Sequence, residues 1–246
     1  VSSATHDRAG VTAVVLAGGK GTRIRTLYPD VPKPMIEVAG KPFLHWVTTY
    51  LIKSGVSDFV YSTGHLGDQI ADWCANGDFP GVRRRVCPEV EPLGTGGGLL
   101  NCLDLCQSEL LTINGDSLCL GGAPEILDLR SDASVSAALL GVYQEDTSRY
   151  GTLDFDEATQ KLRAFREKAP GRGYVNAGVY FFRKQALLGF QRGVALSIER
   201  DVIPDLLTNG SQVRVVPVRD AAFIDIGVPE TVVAASAFIE ANKALF

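Results

Sequence analysis

Residues 11–16 form an almost unbroken apolar run, suited to a strand buried on both faces. Asp58 to Ser62 and Leu110 to Asn114 read as short buried strands too. Between these runs the apolar spacing becomes helical. Leu44, Val47, Leu51 and Ile52 share one helix face, opened by Pro42 and closed by Gly55. Leu66, Ile70, Trp73 and Cys74 repeat that spacing, and Gly77 ends it. The alternation continues through residue 142. It predicts an α/β fold, Rossmann-like, with a mixed and mostly parallel sheet flanked by helices. After residue 150 the pattern changes to short strands at 151–156, 174–183 and 213–218. These predict a small antiparallel portion that completes the sheet. Pro229 opens a final helix to about Ala244, with Val232, Ala235, Ser236 and Ile239 facing inward. No linker and no internal repeat interrupts residues 11–246, so they read as one domain. Residues 1–10 are polar, lack a signal-peptide apolar core and read as a flexible extension.

Composition narrows the function. The chain has 246 residues, 46% of them apolar, as in ordinary globular proteins. No apolar stretch approaches the roughly 20 residues of a membrane span. A net charge of −4 argues against a nucleic-acid partner. The cysteines at 74, 87, 102, 106 and 119 are odd in number and lack zinc spacing. They read as reduced core thiols of a cytoplasmic protein. A homo-oligomer is compatible with all of this, and the sequence does not fix it.

The first strand runs into Leu16-Ala17-Gly18-Gly19-Lys20-Gly21-Thr22-Arg23, followed by Pro32-Lys33-Pro34. Glycines bring bare backbone N–H groups to the strand end, and Arg23 and Lys33 add positive charge. That combination suits phosphates. It is not a Walker A loop. It is not a dinucleotide fingerprint either, because Ile24 stands where the third glycine belongs and prolines 29, 32 and 34 stop a long helix. In sheets of this kind ligands bind beyond the carboxyl ends of the strands. Both the loop and Asp116 follow strands, so both reach one crevice. Asp116 and Asp225 are acids in apolar surroundings, and an unpaired carboxylate there is poorly solvated.

These motifs resemble the sugar-1-phosphate nucleotidyltransferases. The resemblance continues in order through Glu91-Pro92-Leu93-Gly94-Thr95-Gly96-Gly97, Asn114-Gly115-Asp116, Tyr150-Gly151, Glu167-Lys168, Asn176-Ala177-Gly178 and Asp225-Ile226-Gly227. It implies a nucleoside triphosphate and a sugar 1-phosphate as substrates, with pyrophosphate released. Residues 11–142 would bind the nucleotide and 143–246 the sugar phosphate. Nucleotide contacts would come from Leu16, Ala17, Gly18, Gly19, Gly21, Thr22, Arg23, Glu89, Gly94, Thr95 and Gly96. Sugar-phosphate contacts would come from Asn114, Tyr150, Gly151, Glu167, Lys168 and Asn176. Arg23, Lys33 and Lys168 would neutralise phosphates, and Asp116 and Asp225 would hold Mg²⁺. Ser197 is most simply an N-cap, with Glu199 behind it near the sugar.

Glu89 bears on the base. A carboxylate only accepts hydrogen bonds, and guanine offers two adjacent donors, so Glu89 favours GTP. The stretches 32–44 and 197–201 resemble the D-glycero-α-D-manno-heptose 1-phosphate guanylyltransferase branch of that family. Gly98 and Val228 depart from the branch pattern without touching the expected chemistry. Mannose 1-phosphate, a different nucleotide, or a non-catalytic binding module are the competing readings. A nicotinamide dehydrogenase is disfavoured by the loop.

Overall fold

A computed structural model describes residues 10–19, 21–77, 79–166 and 170–246. In chain order its first strands are β1 (Val11–Ala17), a short hairpin of β2 (Glu37–Val38) and β3 (Lys41–Pro42), β4 (Asp58–Thr63) and β5 (Arg83–Pro88). Next come β6 (Glu109–Asn114), β7 (Ser117–Leu120), β8 (Val135–Gln144), β9 (Thr152–Phe155) and β10 (Leu162–Arg166). The last are β11 (Gly173–Arg183), β12 (Gln212–Val218) and β13 (Ala222–Asp225). The helices are α1 (Phe43–Lys53), α2 (Gly67–Asn76), α3 (Gly94–Asn101), α4 (Ala123–Asp128), α5 (Lys184–Leu187), α6 (Ile203–Thr208) and α7 (Pro229–Ala241).

The apolar run at 11–16 is the parallel heart of the main sheet. Strand β1 lies between β4 and β6 and pairs parallel with both, and β5 extends the sheet beyond β4. Helix layers cover its two faces, with separate apolar cores on each side. Val15 and Tyr61 belong to one core, Val14 and Val60 to the other, as the two-residue strand period requires. All five cysteines are free and buried. Burial pushes the Cys106 and Cys119 thiols up to about 12.

The mixed α/β sheet and its helices match the sequence reading, with one difference of layout. The antiparallel portion is not simply added at an edge. Strand β11 sits mid-sheet, antiparallel to both β6 and β8, and β12 then pairs parallel with β8. Its buried run Ala177–Phe182 gives β11 the apolar surface that this inner place needs. The final helix ends at Ala241, followed by a 3₁₀ turn at Lys243–Leu245. Val232, Ala235 and Ile239 are buried as expected, but Ser236 is exposed. Its hydroxyl accepts the Ala39 N–H at 3.1 Å, tying α7 to the β2–β3 hairpin. Among the described residues no helix is long and apolar enough to cross a membrane. Residues 1–9 of the expected extension lie outside the described residues.

Candidate active site

Strand β1 delivers Gly18 and Gly19 to the carboxyl edge of the sheet. Its neighbour β6 ends at Asn114, and the turn into β7 carries Asp116. The Gly115 N–H donates to the Leu16 carbonyl at 2.9 Å, closing that turn over the end of β1. Strands β7 and β13 then pair antiparallel, Ser117 opposite Asp225. The Ile226 N–H donates to the Asp116 carbonyl at 2.9 Å. This short ladder brings two carboxylates together from distant parts of the chain.

Lys33 arrives from a third direction. It opens a 3₁₀ turn (Lys33–Met35) entered through Pro32, with Pro34 buried behind it. Its ammonium forms an ion pair with Asp116 Oδ2. The lysine side chain is only 14% exposed, against 35% for Asp116, so this is not a solvated surface cation. The Asp116 carboxylate, expected to hold Mg²⁺, is paired with an ammonium from this chain. Asp225 Oδ1 accepts the Gly227 N–H at 3.0 Å, and its Oδ2 accepts the Tyr150 hydroxyl at 2.7 Å. The Arg149 guanidinium stands 3.9 Å from the same oxygen. Burial first, and the Asp225 carboxylate second, push the Tyr150 phenol up to about 12. Tyr150 thus remains a donor at neutral pH.

Two clefts meet at this pair of acids. Asp116 lines the first with Leu16, Ala17, Gly18, Gly19, Lys33, Glu89, Gly94, Thr95 and Asn114. Asp225 lines the second with Arg23, Arg149, Tyr150, Gly151, Asn176 and Glu199. A glycine loop over one cleft, a pair of acids and a polar second cleft suit the binding of phosphates and the neutralisation of their charge.

The family model described as "Nucleotidyl transferase" matches residues 12–242. This chain belongs to the nucleotidyl transferase family. It is 33% identical over 238 residues to the mannose-1-phosphate guanylyltransferase of Mycobacterium tuberculosis, covering 95% of this chain. It spans only 65% of that relative's length. It is 32% identical over 222 residues to the D-glycero-alpha-D-manno-heptose 1-phosphate guanylyltransferase of Campylobacter jejuni, covering 89% of this chain and 95% of that one. Among solved structures it resembles HddC from Yersinia pseudotuberculosis complexed with GMP-PN. There the TM-score is 0.80 at 32% identity, over 92% of this chain and 98% of the other.

In this nucleotidyltransferase the expected site residues fall into distinct groups. Glu89 borders the first cleft, wedged over Gly18 and Gly98, where an added Cβ would stand 2.7 Å from its Oε1. Ser62 donates to that Oε1 at 2.9 Å, and the Leu93 N–H donates to Oε2 at 2.9 Å. Each oxygen keeps a lone pair free. Arg23, expected at the triphosphate, lines the second cleft, and Gly21 lines a smaller hollow below the loop. Thr22 lines neither cleft. Asn114, expected at the sugar, lines the first cleft, and its buried Oδ1 has no partner among the described residues. The Tyr150 hydroxyl, expected on the sugar, is already given to Asp225. Glu167 and Lys168 lie outside the described residues, as does Lys20.

The Gly94-Thr95-Gly96-Gly97 run is a helix, α3, which its composition did not suggest. Gly96 is buried, and its N–H goes to the Leu196 carbonyl at 2.8 Å. That bond takes up the Gly96 amide expected at the nucleotide, and a Cβ there would stand 3.1 Å from the Leu196 carbonyl carbon. A Cβ on Gly97 would stand 2.4 Å from the Val194 carbonyl oxygen. Thr95 accepts the Ile198 N–H at 2.9 Å, locking the two segments together. Ser197 caps the following helical turn, accepting from the Glu199 and Arg200 amides. In β11 the Asn176-Ala177-Gly178 motif is a bulge, with Gly178 at φ +71°. The Asn176 amide donates to Tyr180 Oη at 2.6 Å, and Tyr180 donates to Glu199 Oε1 at 2.6 Å. Sequence reading missed Tyr180, because a tyrosine in an apolar strand reads as core.

Proposed function

We propose that this enzyme transfers GMP from GTP to D-glycero-α-D-manno-heptose 1-phosphate, giving GDP-heptose and pyrophosphate. The observation that carries the base assignment is Glu89. It is an acceptor held by Ser62 and the Leu93 amide at the edge of the glycine-loop cleft. Its free lone pairs suit the N1–H and 2-amino donors of guanine and mismatch the imide edge of uracil. The relatives add weight, because those that cover most of both chains include heptose 1-phosphate guanylyltransferases. Mannose 1-phosphate is the second reading, supported by the Mycobacterium tuberculosis relative.

In this reading the sugar phosphate lies in the second cleft and attacks the α-phosphorus in line. A P–O bond forms to the sugar phosphate as the bond to the pyrophosphate oxygen breaks. A phosphate monoester has a second pKa near ~6, so the nucleophile needs no protein base. Catalysis then reduces to alignment and charge neutralisation. Lys33 serves the α-phosphate, Arg23 the departing pyrophosphate and Lys168 the sugar phosphate, and Asn114 offers its unpartnered carbonyl oxygen to the ligand. Asn176 and Gly151 contact the sugar. Asp116 and Asp225 form an all-oxygen donor pair at the boundary of the clefts, which fits Mg²⁺. No larger group of metal-binding side chains occurs among the described residues, so the two acids would hold the ion together with phosphate oxygens and water. Bound there, Mg²⁺ would neutralise and orient phosphate oxygens. Residues 11–142 and 143–246 divide the two substrates between them within one domain. The reading has the enzyme work in the cytoplasm, supported by five unpaired buried cysteines.

Pyrophosphate release tests this. GTP, UTP, CTP, dTTP and ATP are each paired with heptose, mannose and glucose 1-phosphates in the presence of Mg²⁺. Release with GTP and the heptose is expected. Release with another pair keeps the reaction and discards the substrates, and no release with any pair counts against turnover. Glu89→Gln is expected to lower GTP use relative to UTP by about tenfold, one hydrogen-bond mismatch. An unchanged preference removes the argument for guanine.

A further inference from the structure

The site holds an ion pair where the proposed reaction needs two separate partners. Lys33 Nζ is bonded to Asp116 Oδ2, while the Ser117 hydroxyl donates to Oδ1 at 3.2 Å. Asp225 shares the same spot. A Cβ built on Gly227 would stand 2.7 Å from Asp225 Oδ1 and 3.4 Å from Lys33 Nζ. The ammonium paired with Asp116 therefore lies near the second acid without forming an ion pair to it. Two neighbouring carboxylates need counter-charge, and the largely buried Lys33 supplies it at Asp116, with Arg149 3.9 Å from Asp225. An ammonium on Oδ2 repels a divalent ion at the same carboxylate, so the two compete for Asp116. The backbone of Lys33 is fixed by its flanking prolines and by the Met35 N–H bond to the Pro32 carbonyl at 2.7 Å. Any exchange of partners is therefore a swing of its flexible four-carbon stem alone.

We propose that Lys33 stands in for the divalent cation in the nucleotide-free enzyme, and that the triphosphate draws it off Asp116 and thereby admits the cation. The inference rests on the reading of Asp116 and Asp225 as cation ligands. It makes cation and nucleotide binding cooperative, with each strengthening the other by the same factor.

The test measures Mn²⁺ binding to nucleotide-free protein by the electron paramagnetic resonance of the free ion. Lys33→Met is expected to bind Mn²⁺ at least about tenfold more tightly than wild type. Arg23→Met removes an equal charge from a neighbouring wall and should stay within about twofold of wild type. Mn²⁺ should raise the melting temperature of Lys33→Met clearly and that of wild type little. A non-hydrolysable GTP analogue should tighten Mn²⁺ binding in wild type and do so much less in Lys33→Met. No gain in Lys33→Met, or an equal gain in Arg23→Met, overturns the stand-in role. The double variant Lys33→Met/Asp116→Asn separates the two failures. If it retains the Mn²⁺ site, the ligand assignment falls and the inference with it. If it loses the site while Lys33→Met gains nothing, only the stand-in role falls.

Discussion

At the scale of single residues the site is a set of pairings that residue types alone do not reveal. Lys33, Asp116 and Asp225 were all legible from their motifs, yet their contacts were not. Sequence offers no sign that Lys33 rests on Asp116, or that the Tyr150 hydroxyl is spent on Asp225. These contacts join residues from separate loops, and no local spacing encodes them. Two outcomes follow. Asp116→Asn should keep the fold by circular dichroism while lowering turnover by ~10³-fold or more, the scale seen when a key charge-stabilising group is removed. Near-normal turnover would sink its assignment. Tyr150→Phe frees one oxygen of Asp225. Its effect should appear as roughly tenfold weaker metal dependence, as for groups that orient metal ligands, with little change in KM for the sugar phosphate. A large KM change alone would return the hydroxyl to the sugar.

Elements differ in how openly the chain announces them. Strand β1 and helices α1 and α2 were plain, because burial imposes a simple period on each. Helix α3 was hidden, since four of its eight residues, 94 and 96–98, are glycine. Glycine costs a helix about 1 kcal/mol per residue relative to alanine, so its packing must supply the difference. That packing is the close approach of 194–196, where Leu196 takes the Gly96 and Gly97 amides. Gly97→Ala is therefore expected to destabilise the enzyme by about 1–3 kcal/mol despite its better helix propensity. Chemical denaturation would read this as a lower midpoint, and a raised midpoint would show that the two segments part easily. The central place of β11 was equally hidden. Strand order in a sheet depends on partners far away in sequence, and apolar alternation does not name them.

Across the whole molecule, chemistry and cohesion occupy opposite ends of the sheet. The clefts lie at the carboxyl ends of β1 and β6. At the other end, buried Asp58 opens β4 and binds Arg83 and Arg85 of β5, with Thr12 of β1 donating at 2.8 Å. Glu109 of β6 likewise meets Arg183 of β11 at 3.0 Å. Burial alone would raise the Asp58 carboxyl, but bonds from Arg83, Thr12, Arg85 and Gln107 outweigh it and hold it at about 2. Its contribution to stability is therefore full above the ordinary carboxylate range and fades as pH falls through about 2. The shift corresponds to roughly 2 kcal/mol. Asp58→Asn should lower the melting temperature by several degrees at pH 7, with a gap that narrows toward pH 2. KM values should not move. A constant gap would mean that packing, not charge, holds the corner.

The ladder between β7 and β13 has a consequence in time. Asp116 leaves the ribosome well before Asp225, and only their strand pairing sets the two side by side. A growing chain thus carries half of its acid pair until β13 emerges, with Lys33 and Ser117 already at hand for Asp116. Any turnover that needs both acids would wait until β13 docks on β7, so the order of the chain's own threading would set when the site becomes complete.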